Sequence, residues 1–123
     1  MGKKPLAYII EDHEDMVDIF NEALSKAGYE TEMTQDGGEA QHHLKEIVPD
    51  VVILDIHVPN VSGDILLKQI RDDKRLDKTR VLIITADAIM AEKLQDQADL
   101  VLLKPVSFLQ LQQLAERFFT GED

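Results

Sequence analysis

Short apolar runs alternate along the whole chain with longer stretches in which apolar residues recur every three or four positions. Leu6–Ile10 is the first run and reads as a strand. Glu14–Ala27 carries Met16, Ile19, Phe20, Ala23, Leu24 and Ala27 at helical spacing, and Gly28 follows where a helix C-terminus favours glycine. Tyr29–Thr34 alternates as a weaker strand. Asp36-Gly37-Gly38 reads as a turn opening a helix to about Ile47, which Pro49 stops. Val51–Leu54 is continuously apolar, as a strand buried on both faces of a parallel sheet must be. After a loop with Pro59 and Gly63 comes a helix over about Asp64–Asp72 carrying Ile65, Leu66 and Ile70. Arg80–Ile84 reads as another core strand, Ala86–Gln95 as a short helix and Leu100–Leu103 as a fifth strand. Ser107–Phe119 is a last helix with Ser107 as its N-cap. Five β–α units in strict alternation predict an α/β fold, a doubly wound parallel sheet with helices on both faces. Right-handed crossovers favour the flavodoxin-like order 2-1-3-4-5.

Composition narrows the function without naming it. The 123 residues suit one domain, and an apolar fraction of 44% argues against disorder. The absence of cysteine excludes disulfides and thiolate metal sites. No apolar run approaches the ~18 residues of a membrane span. The two lysines before Leu6–Ile10 give a faint look of a signal peptide. The run ends at Glu11, too soon for the ~7–15 apolar residues such a leader needs. A cytoplasmic location follows as the default expectation. A net charge of -11 disfavours direct nucleic-acid binding, which requires basic groups to neutralise phosphates.

The polar residues that interrupt the strands carry the chemistry. Glu11 and Asp12 end strand one, Asp55 ends strand three, Thr85 strand four and Lys104 strand five. In a parallel sheet these ends share one edge, where open α/β sheets bind ligands. Carboxylates gathered there repel, and a hard cation relieves them: Mg²⁺ takes oxygen ligands, usually one or two carboxylates beside a phosphate. A lysine can pair with a carboxylate and then a phosphoryl oxygen, and a threonine hydroxyl can donate to another. An aspartate can itself be the nucleophile, giving an acyl phosphate. The set fits phosphoryl transfer.

At these residues the sequence resembles the receiver domain of two-component response regulators, over essentially its whole length. The resemblance rests on Glu11-Asp12, Asp55-Ile56-His57-Val58-Pro59 with Gly63 beyond, Thr85-Ala86 and Lys104-Pro105. It implies one receiver domain over 1–123, with no output domain in this chain. Asp55 would take a phosphoryl group from a histidine of a sensor kinase or a histidine phosphotransfer protein. Asp12, Asp55 and the backbone carbonyl of His57 would hold Mg²⁺ (or Mn²⁺), with Glu11 acting through a water. Thr85 and Lys104 would bind phosphoryl oxygens, and the Lys104–Pro105 bond is commonly cis in this family. His57 and Asp87 occupy positions that tune the lifetime of the phosphorylated form. Thr85, Val101 and Pro105 fall where the family's switch to output lies. A downstream protein would read the signal, from a monomer or a phosphorylation-linked homodimer.

Some positions depart from the family's pattern. Glu11 replaces the more common aspartate, Val101 stands where an aromatic ring is usual, and a short segment before Lys104 predicts an abbreviated fourth helix. His42 and His43 are expected to be solvated. Phe108, Leu111, Leu114, Ala115, Phe118 and Phe119 are expected in the core. Leu109 is expected to be exposed, forming with Val101 a candidate partner surface. The rival readings are a degenerate receiver that binds a partner without phosphorylation and a haloacid-dehalogenase-type phosphatase. The second wants a carboxylate two residues after the nucleophile, where this chain has His57. Neither a P-loop nor a dinucleotide-binding glycine motif is present.

Overall fold

The structure, a computed structural model, describes residues 4–120, with side chains through Phe118. The strands are β1 (Leu6–Ile10), β2 (Glu30–Thr34), β3 (Val51–Leu54), β4 (Arg80–Thr85) and β5 (Leu100–Leu103). Between and after them run α1 (Glu14–Lys26), α2 (Gly37–His43), α3 (Gly63–Asp72), α4 (Ala88–Leu94) and α5 (Phe108–Thr120), with a 3₁₀ turn at Lys74–Leu76. All neighbouring strands pair in parallel, in the order β2-β1-β3-β4-β5, so the predicted topology is the observed one.

Because successive side chains of a strand point to opposite faces, the sheet divides its apolar residues between two cores. Tyr8, Ile10, Val52, Leu54, Val81 and Ile83 face Ala40, Leu44, Leu66, Leu67, Ile70 and Leu94 of the α2–α3–α4 side. Ala7, Ile9, Val51, Ile53, Leu82 and Ile84 face Phe20, Leu24, Leu111 and Ala115 of α1 and α5. Each of the Val, Leu, Ile and Phe side chains among them contributes on the order of 1.5–3 kcal/mol by leaving water. That burial fixes the register, since a one-residue slip would turn each strand's set to the wrong face.

Helix faces differ from expectation in detail. On α1 the buried stripe is Val17, Phe20, Ala23 and Leu24, while Ile19 is exposed and Met16 only half-buried. Ile19 lies about 100° around the helix from Phe20, which centres the buried stripe, and so falls outside it. On α3 Leu67 joins Leu66 and Ile70 in the core and Ile65 turns to solvent. On α5 Leu111 and Ala115 are buried, and Phe108, Leu114 and Phe118 are half-buried at the margin. Phe119's side chain lies outside the described residues.

Boundaries also shift for identifiable reasons. Gly28 has φ 103° and follows α1 as expected. β2 starts at Glu30, because the Tyr29 N–H closes the end of α1 on the Leu24 carbonyl at 3.0 Å; its buried side chain donates from the hydroxyl to the Ala115 carbonyl at 2.8 Å. α2 closes at His43 and continues to Ile47 only as turns. α4 spans seven residues and begins at Ala88, not Ala86, because the Asp87 carboxylate accepts from the Met90 N–H and caps it. Ser107 caps α5 as predicted, accepting from the Gln110 N–H at 3.0 Å.

Candidate functional site

The sheet's ladder fixes the backbone of each strand-end residue before its side chain is considered. Glu11 N–H donates to the Thr34 carbonyl at 3.1 Å, Asp55 N–H to Ile10 at 3.0 Å and Lys104 N–H to Thr85 at 2.9 Å. Glu11, Asp55, Thr85 and Lys104 are thereby drawn to one edge. Gly63 lets the start of α3 close on that edge: a Cβ there would lie 2.5 Å from the Asp55 carbonyl oxygen. Its N–H donates to Ile56 at 2.7 Å, so no larger residue fits this crossing.

Lys104 joins the acids. Its ammonium donates to Asp55 Oδ2 at 3.0 Å and makes an ion pair with Glu11 Oε1 at 2.8 Å. The Glu11 side chain is 1% exposed, and burial raises its pKa above the usual carboxylate range. The Lys104 pair and the His13 N–H, which donates to Oε2 at 3.1 Å, offset that rise only in part. Burial works against the ammonium of Lys104, but its bonds to Glu11 and Asp55 carry the net shift upward and keep it charged. The Lys104–Pro105 peptide is cis, as the family resemblance implied.

Asp55 is buried, and its Oδ1 accepts a long bond from the His57 N–H at 3.4 Å. Asp12 is exposed at the mouth, and Thr85 is fully buried. The Thr85 hydroxyl accepts from the Asp87 N–H at 3.1 Å. Asp87 also meets the His57 ring, Nε2 to Oδ2 at 2.6 Å, which bridges the loops after β3 and β4. The Met90 N–H, then His57, hold the Asp87 carboxyl below its ordinary value. The His57 ring is 67% exposed but engaged by its bond to Asp87 at the mouth of the site.

Leu109 is exposed on α5 as expected, and Val101 is half-buried on the edge strand β5, against the α4-side core. One expected placement fails. His43 is not solvated: it is half-buried, with Nδ1 2.9 Å from the hydroxyl of buried Tyr8, while His42 is exposed.

A staple beside the cleft escaped the sequence reading. Asn60 adopts φ 73° and donates from Nδ2 to Asp36 Oδ2 at 3.0 Å, and Gly37 N–H donates to Pro59 at 2.9 Å. The Asn60 bond, then the Gly38 N–H, lower the Asp36 pKa. A Cβ on Gly37 would stand 1.8 Å from the Val61 carbonyl oxygen. The signals were Asn60 beside Pro59, which the sequence reading passed over, and the double glycine, read only as a turn.

The donor set at the mouth is one of hard oxygens, which suits Mg²⁺ better than a softer ion. Lys104 already neutralises the inner side of Glu11 and Asp55, leaving Asp12 and the outer side of Asp55 for a cation. Glu11, Asp12 and His13 also present ligand atoms that all lie within 4.8 Å of one another.

Comparison with known proteins agrees with this geometry. The family model described as "Response regulator receiver domain" matches residues 7–116. The polar-differentiation response regulator DivK of Brucella ovis is 33% identical over 102 residues, 80% of this chain and 83% of that protein. In fold the chain is similar to the chemotaxis response regulator CheY4 of Vibrio cholerae, with TM-score 0.84, 24% identity and coverage of 94% and 99%. It is also similar to the receiver domain of the sensor histidine kinase PA1611 from Pseudomonas aeruginosa, with TM-score 0.83 and 21% identity. That match covers 96% of this chain and 99% of that one, whose structure has a magnesium ion coordinated in the active site cleft.

Proposed function

Since the chain belongs to the response regulator receiver domains of two-component signalling, we propose that Asp55 is its phosphoacceptor and that the cleft around it catalyses the transfer. The observation that carries this reading is Lys104 bonded at once to Asp55 and Glu11, at the edge where the Thr85 hydroxyl is buried. The donor is a phosphohistidine on a sensor kinase or a phosphotransfer protein. Its P–N bond breaks as an Asp55 carboxylate oxygen forms the new P–O bond, leaving an aspartyl phosphate and a free imidazole. Lys104 leaves the Asp55 carboxylate for a phosphoryl oxygen, keeping its hold on Glu11, and the Thr85 hydroxyl turns from the Asp87 N–H to donate to another. Both groups already stand at this edge before reaction, so each exchanges one partner for a phosphoryl oxygen and opposes the developing charge there. Asp12, Asp55 and the His57 carbonyl would hold Mg²⁺ or Mn²⁺, with Glu11 acting through a water, and the ion when bound would supply positive charge to the transferred group.

The domain is a signalling element, so the phosphorylated form acts through a downstream protein. Thr85, Val101 and Pro105 are the positions assigned to the switch. Val101 contributes packing to the α4-side core in place of a ring. His57 and Asp87 set the lifetime of the acyl phosphate as a bonded pair at the mouth.

Intact-mass analysis with a small-molecule phosphodonor tests the reading. Uptake of one phosphoryl group that needs Mg²⁺, and is lost in Asp55→Asn and in EDTA, is the expected result. Uptake that survives Asp55→Asn would overturn the assignment. For the pair, His57→Ala should change the lifetime of the adduct several-fold, and an unchanged decay rate would remove His57 from that role.

A further inference from the structure

His13 takes no part in the phosphoacceptor chemistry, yet it is aimed at two residues that do. It stands at the N-cap of α1 and makes no side-chain capping bond there. Its Nδ1 instead lies 3.6 Å from Glu11 Oε2 and 3.6 Å from Asp12 Oδ1. Two atoms bound to one tetrahedral cation at about 2.0–2.2 Å stand roughly 3.3–3.6 Å apart. The imidazole therefore already holds the spacing that a shared ion requires.

The backbone holds these groups in place from both sides. Glu11 is tied into the sheet by its bond to Thr34, and the His13 carbonyl accepts from Val17 N–H at 3.0 Å in the first turn of α1. The Glu11 carboxylate is 1% exposed and presents Oε2 toward His13, while Oε1 is the atom paired with Lys104. An ion on Oε2 would leave that lysine pair undisturbed.

One imidazole nitrogen with two carboxylate oxygens is a donor set that Mg²⁺ does not favour and zinc-like ions do. We propose that Glu11, Asp12 and His13 form a seat for a borderline divalent cation of the Zn²⁺ class. It shares Glu11 and Asp12 with the Mg²⁺ site but uses neither Asp55 nor the His57 carbonyl. Only the consequence rests on the phosphoacceptor reading: an ion held here engages Asp12 and excludes Mg²⁺ from Asp55.

The test is calorimetric titration of Zn²⁺ into the metal-free chain, with histidine-ring NMR, for the wild type, His13→Ala, His13→Asn and Asp55→Asn. The tightest Zn²⁺ site should weaken at least about tenfold in both His13 variants, persist in Asp55→Asn, and shift the His13 ring first. Equal Zn²⁺ affinity in the wild type and both His13 variants would overturn the seat, as would a first response at His42, His43 or His57. Mg²⁺-dependent uptake at Asp55 beside Zn²⁺ binding indifferent to His13 would remove the seat and leave the phosphoacceptor reading intact. No uptake, beside His13-dependent Zn²⁺ binding, would do the reverse.

Discussion

The two edges of the sheet both carry acids, and they treat them in opposite ways. At the amino-terminal edge Asp50 accepts from the Leu6 N–H at 2.7 Å, and Asp99 from the Val81 N–H at 2.7 Å. Asp99 also pairs with Arg71 at 2.9 Å, and Arg71 reaches on to the carbonyls of Gln97 and Thr79. Each carboxylate there closes a strand start that would otherwise leave an N–H without an acceptor. At the carboxyl-terminal edge Glu11 and Asp55 gather around one lysine, with Asp12 exposed at the mouth. Asp12 meets an imidazole at 3.6 Å and Asp55 Oδ1 a single amide at 3.4 Å. The same residue type serves the fold where it is paired in place, and serves ligand chemistry where its charge is left incompletely answered.

The contrast can be broken in two steps, the larger first. Asp99→Ala strips the Val81 N–H and Arg71 of a partner, so chemical denaturation should show a loss of about 1–3 kcal/mol. Phosphoryl uptake per folded molecule should be unaltered. A loss of uptake in that variant would mean that the two edges are not separable. Asp12→Asn should do the reverse: metal-free stability within about 0.5 kcal/mol of the parent, as for an exposed side chain. Its Mg²⁺ affinity, read by direct titration, should fall at least about tenfold.

The cleft edge was the more legible of the two, for a physical reason. A hydrophilic residue ending a four-residue apolar strand stands out in sequence, and parallel pairing brings such ends together without further information. Glu11, Asp55, Thr85 and Lys104 were therefore placed by topology alone. Asp50 and Asp99 each stand in a loop just before a strand, and nothing local distinguishes an acid that accepts a strand amide from one in water. Helix faces failed at their margins: Val17 and Ile19 differ by two positions, and a stripe of four buried residues does not say which flank is covered. His43 was missed because its partner, Tyr8, lies on a strand 35 positions away.

The fit of Gly37 against Val61 bears on how this molecule can be rebuilt. The turn into α2 and the loop after β3 are shaped against each other, with the Asn60–Asp36 bond fastening the join. A chimera that imports the β3 loop of another protein, in order to graft new chemistry beside Asp55, has to bring its matching α2 turn as well. The two segments are one transplantable part, although twenty-four positions separate Asp36 from Asn60.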